Sequence, residues 1–238
     1  MQSTTLYFCT MDKTLRLCED GSHTLYSEKA GECYHSIHGA LNESLHIFIE
    51  AGFNAVLKTF RINHKSSVRI LEIGFGTGLN ALLTGLESQQ ENILVDYTGL
   101  EPFPVPEAVV KQLNYCSLLS EKSEQIFLAM HECEWETTQK INPFFNFTKK
   151  QQGFRDLNLA DNNFDLIYFD AFSPEAQPEL WEQEVFDKCF SVMAPEGILV
   201  TYCAKGRVKR ALKSAGFTVE NLPGPAGKRE ITRAHKLI

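Results

Sequence analysis

Three acidic residues sit where this chain can hold and transform a ligand: Glu72, Glu101 and Asp170. Glu72 opens the run Glu72-Ile73-Gly74-Phe75-Gly76-Thr77-Gly78. Glycine at Gly74, Gly76 and Gly78 lets the main chain take positive φ and lets a ligand lie against bare backbone. The spacing is G-x-G-x-G, with Leu79 where a dinucleotide turn of the G-x-G-x-x-G kind wants its third glycine. A carboxylate beside a pyrophosphate is repulsive, whereas beside a cationic ligand it is favourable. Glu101 stands 23 residues after Gly78, where an acid accepts hydrogen bonds from two ribose hydroxyls. Asp170 ends the apolar run Phe164-Asp165-Leu166-Ile167-Tyr168-Phe169. A carboxylate there can accept an N–H bond from an amine and orient its lone pair. It also stabilises the positive charge that develops on nitrogen during attack on carbon. The plainer alternatives are a tight turn without a ligand and an acid that caps a loop.

The elements that would carry these residues alternate. Residues 68–73, 94–100, 164–169 and 197–203 read as strands, and each is followed by a helical stretch: 79–87, 104–113, 179–193 and 207–215. Residues 126–130 read as a short strand or helix fragment. Residues 216–222 and 229–234 flank Pro223-Gly224-Pro225-Ala226-Gly227 as a hairpin. Such βα units closed by a hairpin give a mostly parallel sheet with one antiparallel strand. The expected fold class is therefore α/β, the Rossmann-like sheet of class I S-adenosylmethionine (SAM) dependent methyltransferases. The positively charged sulfonium of SAM suits the acidic glycine turn.

Before this lies a small β-rich cap. Residues 5–9, 14–19 and 24–27 alternate like strands around the turn Asp20-Gly21-Ser22, and a helix follows over 38–57 with Leu41, Leu45, Phe48 and Ile49 at helical spacing. We divide the chain into a cap with its helix (1–60) and a SAM-binding domain (61–238).

Composition narrows the function classes. The chain has 238 residues, 43% hydrophobic, with net charge −7. That length suits one large domain, and no apolar run reaches the ~20 residues of a membrane span. The N-terminus lacks a signal peptide's layout. Seven dispersed cysteines form no CxxC pair, so neither a disulfide framework nor a zinc site is indicated, and a cytoplasmic protein is expected. Asn42-Glu43-Ser44 and Asn146-Phe147-Thr148 are then accidental sequons. His35, His38 and His46 have no acidic or cysteine partner at metal-ligand spacing, so no metal is expected. Residues 203–238 hold nine Lys/Arg against Glu220 and Glu230, a local charge of +7, while the other 202 residues carry 14 basic and 28 acidic side chains. An acidic body with a basic end fits a polyanionic partner, or simply solvated faces.

Several blocks together resemble the MnmC/MnmD-type tRNA methyltransferases. They are Tyr26-Ser27 with Tyr34-His35-Ser36-x-His38-Gly39-Ala40-Leu41-x-Glu43-Ser44-x-His46-x-Phe48; Leu71-Glu72-Ile73-Gly74-Phe75-Gly76-Thr77-Gly78-Leu79-Asn80; Phe169-Asp170-Ala171-Phe172-Ser173-Pro174 with Pro178-Glu179-Leu180-Trp181; and Gly227-Lys228-Arg229-Glu230. The resemblance spans nearly the whole chain. It implies methylation of 5-aminomethyl-2-thiouridine at the tRNA wobble position, with Asp170 meeting the substrate amine. It also implies that Tyr26, Tyr34, His35, Glu43 and Ser44 close over SAM, with Asn80 beside the glycine turn. Two-domain relatives add a long FAD-dependent oxidoreductase domain, for which 238 residues leave no room. Asp156, beside Phe154, is the candidate at the adenine. Phe172 and Trp181 are candidates for base contact, and Lys205, Arg207, Lys228 and Arg229 for the anticodon-loop phosphates. Phe144, Phe145, Phe147 and Phe154 either stack a base or fill a strand's core. His131-Glu132-Cys133-Glu134-Trp135-Glu136 reads as an exposed acidic turn.

Two other readings remain open on the residues. One is an enzyme on a small amine: a polyamine aminopropyltransferase, which shares the sheet, the cap and the strand-end acid but uses decarboxylated SAM, or another small-amine N-methyltransferase. A catalytically silent tRNA-binding module would keep only the fold.

Overall fold

The computed structural model describes residues 13–63, 66–157 and 163–237. The strand expected at 5–9 lies outside them.

Strands β4 (Val68–Ile73), β5 (Val95–Leu100) and β8 (Phe164–Phe169) form the centre of an eight-stranded sheet. Every residue of β8 is buried, as expected where helices cover both faces. The spatial order is β10-β11-β9-β8-β4-β5-β7-β6, with β6 (Gln139–Asn142), β7 (Phe145–Lys150), β9 (Met193–Thr201), β10 (Thr218–Pro223) and β11 (Glu230–His235). β4 pairs in parallel with β5 on one side and β8 on the other. Chain order reverses there, and the crevice at such a reversal is where α/β sheets hold ligands. The terminal hairpin pairs antiparallel through β11 onto β9. A second antiparallel strand, β6, is added beyond β7, where only one was expected. β6 is four residues of mixed burial, with too little periodicity to be read in advance.

Period-2 alternation sends side chains to two separate cores. Ile70, Tyr97, Phe145, Phe147, Tyr168 and Val200 pack under α2 (Leu45–Phe53), α3 (Asn54–Asn63), α4 (Leu79–Glu91) and α7 (Lys122–Glu132). Leu71, Ile73, Ile167, Phe169 and Leu199 pack under α8 (Gln183–Val192) and α9 (Gly206–Ser214). Phe145 and Phe147 therefore belong to the core, and residues 126–130 are part of a helix.

The helix expected at 38–57 starts as α1 (Ala40–Ser44), and its middle, α2, is a nine-residue π-helical stretch. A Cβ on Gly52 would come within 3.0 Å of Val200 Cγ2, so the missing side chain lets this wide segment lie directly on the sheet. A 3.6-residue hydrophobic pattern does not distinguish such a widening. The helix expected at 104–113 shrinks to α5 (Glu107–Val110), with α6 (Tyr115–Leu118) after it. The cap is a three-stranded antiparallel sheet, β1 (Lys13–Leu17), β2 (His23–Ser27) and β3 (Glu32–Cys33). Its turn is held by the Ser22 N–H donating to Asp20 Oδ1 at 3.0 Å.

Among the described residues no helix is long and apolar enough to cross a membrane, and no group of three or more His, Cys, Asp or Glu is placed to hold a metal.

Candidate active site

The carboxyl ends of β4, β5 and β8 open into a cavity of about 690 Å³. Its wall includes Gly74, Phe75, Gly76, Asn80, Glu101, Phe103, Asp156, Asp170, Phe172 and, from the cap, Tyr34 and His35. Backbone shape makes this wall. Gly74, Gly76 and Gly78 have φ of 94°, 52° and 78°, which disfavour any other residue. A Cβ on Gly74 would lie 2.5 Å from the Asp170 carbonyl oxygen. The glycine therefore lets the β4 turn and the β8 tip touch.

Glu101 is held at the lip from two sides. The Gly76 N–H donates to its Oε2 and the Phe103 N–H to its Oε1, each at 2.9 Å. Burial raises its pKa, while these two N–H groups act in the opposite direction. Asp156 sits in a one-turn 3-10 helix (Phe154–Asp156) on the same wall.

Asp170 is joined to Asn80, whose Nδ2 donates to Asp170 Oδ2 at 2.9 Å. The same Nδ2 donates to Glu72 Oε1 at 2.9 Å. Burial, reinforced by the Glu43 carboxylate, pushes the Asp170 pKa up to about 7; Asn80 and Lys228 pull the other way. A carboxyl of that pKa changes charge near neutrality, which suits a group that accepts a proton from an amine.

A second cavity of about 430 Å³ adjoins the first. Tyr34, His35, Ala171 and Phe172 line both. Tyr26, His38, Glu43, Tyr202 and Lys228 line only the second. Tyr34 and Phe172 meet edge-on, ring centres 5.0 Å apart, at the shared wall. Burial lowers the His35 pKa to about 4, so the ring is neutral there.

Seven expected site residues lie elsewhere than foreseen. Gly78 and Tyr26, both expected at the cofactor, are not on the first cavity's wall: Gly78 lines neither cavity and Tyr26 only the second. Glu72 is fully buried and lines neither cavity, because its strand parity points it beneath α4. Ser44 is likewise fully buried, on the inner face of α1. Trp181 packs on Phe169 and Phe186 at 6% exposure, its Nε1–H donating to the Phe172 carbonyl at 2.9 Å. It thus holds the loop that carries Phe172. Glu43, expected near the cofactor's ammonium, instead pairs with Lys228 in the second cavity. Lys228, expected on phosphates, is thereby engaged inside the protein.

The basic end is similarly narrowed. Lys205 and Arg207 share Glu175, Lys209 pairs with Glu230, Arg233 with Glu220, and Lys236 donates to the carbonyls of Phe190 and Met193. Arg210, Lys213 and Arg229 are exposed, with no ion pair among the described residues.

Sequence reasoning missed Phe103, Tyr202 and His131. Phe103 is 60% exposed at the mouth, under the Lys29 ammonium. Tyr202 directly follows β9, a strand-end aromatic that the pattern could have flagged. It donates its hydroxyl to the Ala171 carbonyl at 2.9 Å. His131 is not in an exposed turn but ends α7 against the glycine turn, with Nε2 3.2 Å from the Thr77 carbonyl.

Residues 120–237 match a family described as S-adenosyl-L-methionine-dependent methyltransferase. The tRNA 5-methylaminomethyl-2-thiouridine biosynthesis bifunctional protein MnmC of Azoarcus sp. (strain BH72) is 28% identical over 235 aligned residues, covering 94% of this chain and 35% of the relative. The chain thus spans about a third of the length of the curated relatives it matches. Among solved structures, MnmC2 from Aquifex aeolicus superposes with a TM-score of 0.71 at 26% identity, over 93% of this chain and 70% of that one. Spermidine synthase from Thermotoga maritima superposes at 0.55 with 14% identity, covering 94% of this chain and 69% of that one, a likeness of fold alone.

Proposed function

We propose that this chain methylates the primary amine of 5-aminomethyl-2-thiouridine at the wobble position of tRNA, giving 5-methylaminomethyl-2-thiouridine, with SAM as methyl donor. One observation carries the reading: Asp170 lies in the wall of the glycine-turn cavity, and its next two residues line the adjoining cavity as well. A donor in the first cavity and an amine in the second would meet at this carboxyl. The named product of the MnmC relatives supplies the acceptor.

The residues present fit the donor. The first cavity has the size of a nucleoside-bearing ligand's site. Its glycine turn has no room for a Cβ: one on Gly76 would come within 3.1 Å of the Tyr34 ring. Glu101 and Asp156 are acceptors for hydroxyl and amino groups. When bound, SAM supplies a sulfonium methyl ready for in-line displacement.

The chain's own residues do the rest. Asn80 fixes one oxygen of Asp170, and the other has no partner among the described residues. That free Oδ1 accepts an N–H of the acceptor amine, turns its lone pair toward the methyl carbon, and takes up the proton released after transfer. Tyr34 and Phe172 wall off water at the junction. Reaching the base requires it to be unstacked from the anticodon loop. Arg210, Lys213 and Arg229 are the exposed cations nearest in sequence to the hairpin and are assigned to the phosphates.

The test is mass spectrometry of nucleosides from tRNA bearing 5-aminomethyl-2-thiouridine after incubation with SAM. A gain of one CH₂ in that nucleoside, absent with Asp170→Ala, is the expected result. Turnover only with decarboxylated SAM and a free diamine, or tRNA binding without turnover, would refute it.

A further inference from the structure

Glu72 has the sequence position of an acid that faces a cationic ligand, yet it has no exposed surface and lines neither cavity. Register explains this. Glu72 lies opposite Tyr168 across the β4–β8 ladder, so it shares the α4 face with Tyr168 and, two residues beyond, with Asp170. Asn80, in the first turn of α4, comes down onto both carboxyls.

The charges around Glu72 oppose its ionisation. The carboxylates of Asp170 and Glu101 repel its charge, and the phenols of Tyr97 and Tyr168 also face it. No cation pairs with it among the described residues. Its Oε2 and the Tyr97 hydroxyl are both buried without a well-aligned hydrogen bond; the phenol beside the carboxyl favours its charged form, but burial and the Asp170 carboxylate outweigh it. A carboxylate there would be a buried, unpaired charge, so Glu72 is held as the neutral acid.

A neutral Glu72 still accepts through Oε1. The Asn80 amide nitrogen has only two protons. One goes to Glu72 and the other to Asp170, each at 2.9 Å. Rotating that carboxamide breaks both bonds together. Asp170 is faced from its other side by Glu43, Lys228 and Tyr202, none of which is hydrogen-bonded to it. Asn80 is therefore its one fixed side-chain donor among the described residues.

We propose that Glu72 is a positioning residue: as a neutral acid it anchors the Asn80 carboxamide, which holds Asp170 Oδ2 and leaves Oδ1 to the acceptor amine. The inference rests on the reading that Asp170 meets that amine, and it removes Glu72 from the set that binds the cofactor.

Three forms of the full chain decide it: wild type, Glu72→Gln and Glu72→Leu. The amide variant keeps a neutral acceptor for Asn80, and the leucine variant does not. Cofactor affinity is measured by calorimetry. The Asp170 titration is followed by carbon NMR of labelled aspartate, assigned with Asp170→Asn. Both are read without any acceptor, so they stand or fall apart from the methylation itself, which is assayed separately.

Glu72→Leu should raise the Asp170 midpoint, because a donor to its charged form is loosened, and lower kcat by about 10- to 100-fold while cofactor affinity is kept. Glu72→Gln should stay close to wild type in both midpoint and kcat. The proposal is overturned if Glu72→Gln loses cofactor affinity, if its kcat falls as far as that of the leucine variant, or if Glu72→Leu leaves the Asp170 midpoint in place. Should Glu72→Leu not fold, Glu72→Gln alone decides, since a charged cofactor ligand does not survive amidation.

Discussion

Glu43 and Lys228 are 185 residues apart in the chain and form an ion pair that ties the first helix to the loop of the terminal hairpin. Glu43 also accepts from the Ser36 N–H at 3.1 Å, and the Lys228 ammonium lies 5.3 Å from the centre of the Tyr202 ring. The pair lines the second cavity. It therefore closes the cap against the sheet where the acceptor is proposed to sit.

Breaking this pair from one side should be costly. Glu43 and Lys228 side chains are only 8% and 24% exposed, so Lys228→Met leaves a buried carboxylate uncompensated. Urea titration should show about 2 kcal/mol lost for Lys228→Met and for Glu43→Gln alone. The double variant should lose clearly less than the two together, by about 1 kcal/mol or more. Full additivity would mean the pair contributes no coupling.

Asp170 sets a pH dependence for the reaction. With its pKa pushed up to about 7, kcat/KM should rise through neutrality and fall roughly tenfold per pH unit well below it. The Glu43 carboxylate contributes to that rise in pKa. Glu43→Gln should therefore move the ascending limb toward acid, by on the order of half a unit to one unit. A limb that stays in place would separate Asp170 from the titration.

The same group predicts a pH-dependent stability. Its folded pKa of about 7 lies above the ordinary 3.8, so the folded state binds the extra proton between those values. Asp170 then costs least stability below pH 4, and its cost grows as pH rises through 7. Asp170→Asn removes the titration. Its stability relative to wild type should increase from pH 5 to pH 8, by about 1–2 kcal/mol after solvent screening. A constant difference across that range would refute the assignment.

Gly74→Ala tests the contact between the two strand tips. The added methyl would meet the Asp170 carbonyl at 2.5 Å, with φ already at 94°. We expect a loss of about 1–3 kcal/mol in unfolding free energy from strain. Cofactor affinity should fall with it, measured on the fraction that remains folded. An unchanged affinity would show that this tip does not shape the site.

Nucleic-acid binding should depend on the exposed cations, not on Lys228. Charge neutralisation at Arg210, Lys213 and Arg229 should flatten the salt dependence of tRNA affinity, by about 0.7–0.9 in log–log slope for each phosphate no longer neutralised. Cofactor affinity should be unaffected. An unaltered slope would place the tRNA on another face.

Much of the fold is legible along the chain because its signals are local. The apolar runs at β4 and β8, the glycines between β4 and α4, and the Pro-Gly turn before β11 each act within a few residues. Glu101 and Asp170 are legible for the same reason, since each ends a strand and strand ends converge in a parallel sheet. The π-helical stretch at Leu45–Phe53 and the edge strand β6 are not. The first depends on how closely Gly52 meets the sheet, and the second on pairing with β7.

By itself the sequence determined a parallel sheet with a glycine turn at its switch point, a strand-end acid on either side of that turn, and the resemblance to wobble-uridine methyltransferases. Only the tertiary structure decided what the neighbours of those acids are. It put Glu72 behind Asn80, joined Glu43 to Lys228, and reduced the basic end to three exposed cations without ion pairs among the described residues. The physical reason is range: backbone conformation and hydrophobic period are set by adjacent residues. Burial, pairing and pKa are set by groups up to 185 residues away that the fold brings into contact.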